Sequence, residues 1–216
     1  MIVTAELRWF WSAQAPVGLA AWFFAENIHG CRPGGGRERL DSYLCDPEQT
    51  ELGIKRRASA VETEVKGLVG LLPLPFVLGG LAGRAELWSK WSSEALKIPH
   101  LTLVTVRKKR WLRKIVPGKA GYMELPLNED EHPLGPGPVP RAGCNVELTQ
   151  ATAPNGSDWW TLGLEAYSRL GEVEDHLRGA VELLEVRQPP HLAEGARQLN
   201  YPEWLSALLQ QRSRGL

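Results

Sequence analysis

The sequence predicts an α+β protein: an antiparallel β-barrel or tunnel with flanking helices and a C-terminal helical pair. Three observations carry this expectation. Several segments alternate apolar and charged side chains at a spacing of two, the period of a strand. Their polar positions hold mostly Glu, Lys and Arg, not the Ser, Thr and Gln mixture that a solvated sheet face accepts equally well, so the charged faces suggest the lining of a lumen. From residue 172 apolar residues recur at three-to-four spacing, the period of a helix. The 216 residues fit one core, and 43% hydrophobic with 23% charged residues excludes intrinsic disorder, collagen-like repeats and disulfide scaffolds. With no internal repeat and no linker, residues 1–216 are expected to form a single domain.

Each element has its own signal. In residues 2–11, Thr4, Glu6 and Arg8 fall on one face, and Val3, Ala5, Leu7, Trp9 and Trp11 on the other. Pro16 suits a first helical turn, and residues 17–24 follow as a short apolar helix. Residues 29–39 are expected to be a loop, because Gly30, Pro33 and the Gly34 to Gly36 run break regular structure; the run also lacks the Gly-Lys-Ser/Thr ending of a P-loop. Strands resume over 40–69 as a meander, with turns at Cys45-Asp46-Pro47 and Ala58-Ser59-Ala60. Within it Gly53, Lys55 and Arg57 share one face, as do Glu62, Glu64 and Lys66. Residues 85–96 have helical composition.

Residues 101–115 form a long strand, and the stretch 105–119 carries seven basic residues and no acidic one. Residues 118–143 hold five prolines and form an irregular excursion, a lid or a plain loop, with a short strand near 122–125. Strands over 144–152 and 159–168 flank the turn signal Ala153-Pro154-Asn155-Gly156 and set Glu147 and Glu165 among apolar neighbours. Helices over 172–186 and 202–211 complete the chain, so the C-terminal pair spans 172–212.

Charge and composition narrow the partners. Twenty-five basic and 25 acidic side chains cancel, which removes the global case for a nucleic-acid or anionic-membrane partner. An RNA site on the basic run 107–119 would have Trp111 as its one stacking platform, so nucleic acid is disfavoured. The apolar run 67–81 contains Pro73, Pro75 and four glycines and is shorter than the roughly 20 residues of a membrane helix. The opening residues lack the pattern of a signal peptide, and Cys31, Cys45 and Cys144 form no CxxC pair, so reduced thiols and a cytoplasmic location are expected. Trp9, Trp11, Trp22, Trp88, Trp91, Trp159 and Trp160 mostly sit at core-facing or helix-packing spacings, and His29, His100, His132, His176 and His191 share no metal-ligand spacing.

A barrel that turns its charged faces inward would collect Glu6, Arg8, Lys55, Arg57, Glu62, Glu64, Lys66, Lys108, Arg110, Glu147 and Glu165, and a one-residue slip would replace Lys108 and Arg110 by Arg107 and Lys109. Basic side chains neutralise phosphate oxygens, while carboxylates offer hard ligands to Mg²⁺ or Mn²⁺. Such a lumen suits a polyanion with a divalent cation. The competing reading is structural, with the carboxylates in ion pairs to Arg8 or Lys66.

Motifs in order along the chain strengthen the functional reading. They are Thr4-Ala5-Glu6-Leu7-Arg8, Asp41-Ser42-Tyr43-Leu44-Cys45-Asp46, Leu52-Gly53-Ile54-Lys55, Glu64-Val65-Lys66, Lys108-Lys109-Arg110, Asn145-Val146-Glu147, Gly163-Leu164-Glu165 and Leu199-Asn200-Tyr201-Pro202-Glu203. Together, across residues 2–205, this series resembles the CYTH-like superfamily, the triphosphate tunnel metalloenzymes, which include thiamine triphosphatase, inorganic tripolyphosphatases, RNA triphosphatases and a class of adenylate cyclase. The superfamily opens with ExExK, where this chain has Thr4 for the first Glu and Arg8 for the Lys; Gly53 stands where an Arg is usual. The resemblance implies a divergent member of the fold that hydrolyses inorganic tripolyphosphate, thiamine triphosphate or a nucleoside triphosphate with Mg²⁺ or Mn²⁺. It implies Glu6, Glu147 and Glu165 as metal ligands and Arg8, Lys55, Arg57, Lys66, Lys108 and Arg110 as phosphate ligands, with Glu62 and Glu64 as auxiliary carboxylates. Two alternatives stay open: a non-catalytic binder of a phosphorylated small molecule or polyphosphate, and an interaction protein that kept the fold. A homodimer is also open.

Overall fold

The structure, a computed structural model, describes residues 2–26, 30–57, 62–96, 103–135, 137–168 and 171–214. The elements in chain order are β1 (Ile2–Ser12), α1 (Leu19–Phe24), β2 (Gly34–Leu44), β3 (Leu52–Arg57), β4 (Thr63–Leu78), β5 (Leu81–Ser93) and β6 (Leu103–Gly118). They continue with β7 (Gly121–Leu125), β8 (Ala142–Thr152), β9 (Asp158–Ser168), α2 (Val173–Val186), β10 (Arg197–Gln198) and α3 (Tyr201–Arg214). Eight antiparallel strands close a ring in the order β1-β5-β4-β3-β2-β6-β8-β9, with β9 returning to β1 from Val3 opposite Ser168 to Ser12 opposite Trp159. β7 pairs with the far end of β6, and β10 adds two residues beside β1. Closure removes the open edges of the sheet and gives every strand an inner and an outer face.

The apolar face of β1 points outward, not into the lumen. Ala5, Leu7, Trp9 and Trp11 join Val146 and Leu148 of β8 and Leu162, Leu164 and Ala166 of β9 in one core, and the Val173, Leu177, Ala180, Val181 and Leu184 stripe of α2 packs over it. Fully buried Arg113 of β6 ties α1 to this layer. It donates to the Phe23 and Ala25 carbonyls and pairs with Glu124 of β7.

A second core lies inside the barrel, at one end. Phe10, Tyr43, Val106, Ala151 and Trp159 are buried with Trp204, Leu205 and Leu208 of α3. The Phe10 and Trp204 rings stack at 5.1 Å, and Trp159 meets Trp204 edge-on at 5.8 Å. Here α3 plugs the lumen. Its first turn is fixed by a reciprocal cap, in which Asn200 Oδ1 accepts from the Glu203 N–H and Glu203 Oε2 accepts from the Asn200 N–H, both at 2.9 Å.

The expected α+β class, the strands over 2–11 and 144–168, a long strand from 103 through 115, and the C-terminal helices are present, and several expectations need correction. Residues 85–96 are not a helix: β5 is the return strand of a hairpin turned by Gly79 (φ 56) and Gly80 (φ 81), and it pairs with both β4 and β1. Two-sided pairing that closes a barrel outweighs a weak helical propensity. Residues 29–39 are not wholly a loop, because β2 begins at Gly34; Gly35 (φ 96) and Gly36 (φ 94) form a bulge inside the strand instead of ending it. The strand ending near 69 runs on to Leu78, taking Pro73 and Pro75 through a register shift.

Trp91 is also not a core residue. It is 45% exposed, because α2 covers β8, β9, β1 and the Phe76 end of β4 and not this part of β5. The Ala58-Ser59-Ala60 turn, Val61, His29 and His100 lie outside the described residues. No helix among the described residues is long and apolar enough to cross a membrane.

Candidate functional site

Alternation along the strands turns one charged set inward. From the open end toward the plug, β1 presents Thr4, Glu6, Arg8 and then Phe10, so charge gives way to aromatic floor within four positions. The result is a cavity of about 230 Å³ lined by eight basic side chains, Arg8, Arg39, Lys55, Arg57, Lys66, Lys90, Lys108 and Arg110, and by four carboxylates, Glu6, Glu64, Glu147 and Glu165. Tyr43, Tyr201, Asn145 and Thr149 complete the polar wall.

All six expected phosphate ligands and all three expected metal ligands line this one cavity. The β6 register favours Lys108 and Arg110: Lys108 is 2% exposed and faces inward, whereas Arg107 is exposed and Lys109 lies over the Trp111 ring at 5.3 Å. Glu64 lines the cavity, but Glu62 is exposed ahead of β4 and accepts a hydrogen bond from Ser92 Oγ at 2.8 Å. Arg39 and Lys90 are not among the lining residues expected from the sequence, which places the first in a loop and the second in a helix. The alternation of Glu86, Trp88 and Lys90 was the available signal for Lys90.

Every lining carboxylate is held by a cation. Lys66 Nζ donates to Glu6 Oε2 at 2.8 Å, Lys90 Nζ to Glu165 Oε1 at 2.9 Å, and Lys55 pairs with Glu64 at 2.8 Å. Glu147 lies between two guanidinium groups, Arg8 at 2.8 Å and Arg110 at 2.7 Å. Two glycines make room for these groups. A Cβ at Gly163 would stand 2.5 Å from Arg8 Cζ, and one at Gly53 would stand 2.9 Å from Lys66 Cγ. An Arg at position 53 would therefore compete with the Lys66 stem.

Three of the lining cations stand on aromatic rings. Lys108 Nζ is 3.4 Å from the Tyr201 centroid, Arg8 lies over the same ring at 4.9 Å, and Lys66 lies over Trp88 at 4.2 Å. Lys108 also donates to the Tyr43 hydroxyl and pairs with Asp41 at 3.4 Å, a carboxylate it shares with Arg39 at 3.3 Å. Positive charge is least compensated on the β2–β3–β6 wall, where Arg39 and Lys108 share that one carboxylate and Arg57 has no ion pair among the described residues. Arg39 Nε and Asp41 Oδ1 are buried there without hydrogen-bond partners among the described residues.

Titration follows from these contacts. Burial alone would raise the Glu6 carboxyl, but Lys66, Lys90 and Arg8 outweigh it and hold it at about 2 against an ordinary 4.5. Burial pushes Glu147 the same way, and Arg110 and Arg8 overcome it to hold the carboxylate well below its ordinary range. Lys90 is raised, because Glu165, Glu6 and Glu64 outweigh its burial. Lys108 is lowered well below an ordinary lysine, by burial first and then by the cations Arg39, Lys55 and Arg8.

The donor set bears on a metal in two ways. Glu6 and Glu165 stand directly opposite one another in the β1–β9 register, and two carboxylates with phosphate oxygens are a usual set for Mg²⁺. Hard oxygen chemistry at this pair suits a divalent cation only if it displaces Lys66 and Lys90, which hold the two carboxylates. Glu147 has both oxygens taken by Arg8 and Arg110, and Glu6 has both taken by Thr4 and Lys66, so each would have to give up a partner to ligate an ion. Among the described residues no group of three or more His, Cys, Asp or Glu side chains is placed to hold an ion.

No family model matches the chain, and no curated protein is a match for it either.

Proposed function

We propose that the lumen binds the phosphate chain of a triphosphate compound or polyphosphate and, with Mg²⁺ or Mn²⁺, hydrolyses its terminal anhydride. The observation that carries this reading is the charge of the lining, eight basic side chains against four carboxylates inside a closed barrel. Such a surplus in a confined, partly dehydrated space favours a multiply charged anion, whose oxygens accept the guanidinium and ammonium donors. The antiparallel closed barrel and the inward placement of the motif residues support the resemblance to the triphosphate tunnel metalloenzymes.

In this reading Arg39, Arg57 and Lys108 take phosphate oxygens first, because doing so breaks the fewest ion pairs. Arg8 and Lys66, each already on a carboxylate, hold the next group and keep Glu147 and Glu6 ionised. Glu6 and Glu165 would hold the divalent ion, which when bound supplies charge neutralisation at the transferred phosphoryl group and orients water. The lining residues position the chain and keep bulk water from it. A second reading, binding without turnover, is favoured by Lys66 and Lys90 already engaging Glu6 and Glu165.

Phosphate release from inorganic tripolyphosphate, thiamine triphosphate and ATP, with Mg²⁺, Mn²⁺ or EDTA, separates them. Hydrolysis predicts metal-dependent release that falls by about 100-fold or more in Glu165→Gln. Saturable thermal stabilisation by tripolyphosphate without release would establish the binder. Neither release nor stabilisation would overturn both.

A further inference from the structure

Arg110 meets a second carboxylate, one that comes from outside the barrel wall. Its Nε donates to Glu131 Oε1 at 2.9 Å and its Nη2 to Glu131 Oε2, while Nη1 holds Glu147 inside the lumen at 2.7 Å. The guanidinium fork is therefore filled by a side chain of the connection between β7 and β8. That connection is pinned. Asn128 Oδ1 accepts from the backbone N–H groups of Asp130 and His132, both at 2.9 Å, and the Asn128 N–H donates to the His132 carbonyl at 2.9 Å. Leu127 and Pro133 form a bridge, and Arg37 holds Asp130 at 2.5 Å. Glu131 itself has φ 64, a left-handed conformation that few non-glycine residues adopt.

The opposing wall is glycine by necessity. A Cβ at Gly35 would stand 2.9 Å from Glu131 Oε1 and 2.6 Å from the Arg110 carbonyl, and one at Gly34 would stand 2.4 Å from the Asn128 carbonyl. The bulge at the start of β2 and the pinned loop are thus two halves of one seat for a single carboxylate. Its side chain keeps 22% of its surface exposed, so the carboxylate can leave the Arg110 fork without opening the core.

We propose that Glu131 is the resident anion of this site, a specificity-determining side chain that reserves Arg110 for ligands able to displace a carboxylate. The proposal rests on the phosphate-lumen reading above. A phosphate group of two negative charges presents the same paired-oxygen geometry as Glu131 with more charge, so it takes the fork. A ligand carboxylate matches Glu131 in charge and geometry, gains nothing by exchange and is refused. The loop thereby acts as a charge filter.

Titration calorimetry with inorganic tripolyphosphate and with citrate tests this on the intact chain. The proteins are the wild type, Glu131→Gln, Glu131→Asp, and Glu129→Gln as a control for net charge at an 89% exposed position on the same loop. Loss of the resident anion should tighten tripolyphosphate about tenfold in Glu131→Gln and make citrate a ligand where the wild type ignores it. Glu131→Asp, which keeps the charge but shortens the reach, should move the same way by a few-fold and serves if the Gln variant does not fold. Glu129→Gln should shift either affinity by less than about twofold. Wild-type binding of tripolyphosphate with unchanged or weaker binding in both Glu131 variants overturns the filter and leaves the phosphate lumen standing. Failure of every protein to bind tripolyphosphate overturns both.

Discussion

Glu6 carries a buried charge whose cost is offset by neighbours on three strands, and the balance has a measurable sign. Its carboxyl lies at about 2 in the folded protein against an ordinary 4.5. A lowered folded value stabilises the protein above the unfolded value and ceases to do so as the pH falls through the folded one. Urea unfolding across pH should therefore show wild type more stable than Glu6→Gln by roughly 3 kcal/mol near neutrality, since the variant strands Lys66. That gap should hold down to pH 4.5 and shrink toward pH 2; a gap independent of pH would remove Glu6 from the ion-pair lattice. At this scale much of the site was legible in the sequence, because period-2 alternation assigns each charge to a face. What alternation cannot give is partnership. That Glu147 serves two arginines, and that Glu131 arrives from a proline-rich excursion to fill the Arg110 fork, depends on which strands become neighbours.

Elements succeed or fail in the sequence according to whether their cause is local. The α3 start is local: Asn200 and Glu203 satisfy each other's N–H groups three residues apart. Asn200→Ala should lower stability by about 1 kcal/mol, the usual loss on removing such a cap. It should also loosen Tyr201, the ring beneath Lys108 and Arg8, so thermal unfolding and tripolyphosphate affinity should fall together. An affinity loss with no stability change would mean that Asn200 acts through its bond to Glu86 at 3.1 Å and not through the cap. β5 is the contrary case. Its residues tolerate a helix, and only pairing with β1 and β4, set by the Gly79-Gly80 turn, makes them a strand and delivers Lys90 to the lumen. The start of β2 was hidden for the same reason, since glycines that break a helix or loop reading are what a bulge requires.

At the scale of the whole molecule, α3 closes one end of the barrel among the described residues. Closure of β9 onto β1 seals the wall, and α3 fills that end with Trp204 and Leu205 against Phe10 and Trp159. The charged lining thus ends on an aromatic floor, and in the phosphate reading an extended polyanion enters by a free end. In the phosphate reading the terminal group travels deepest, toward Arg8 and Lys108 above Tyr201, while any base or heterocycle remains at the mouth. Chain ends then matter more than chain charge. Tripolyphosphate and ATP each have a free terminal phosphate; a dinucleoside polyphosphate, capped at both ends, has none. In competition against a bound fluorescent triphosphate, the free-ended compounds should displace it, and the doubly capped compound should be weaker by about 100-fold despite comparable charge. Equal displacement would mean that recognition is by field alone at the mouth, with the α3 plug irrelevant to selection. The expected difference would instead make the fold itself the reason for selectivity, because the same side chains around an open channel would accept a phosphate chain threaded from either side.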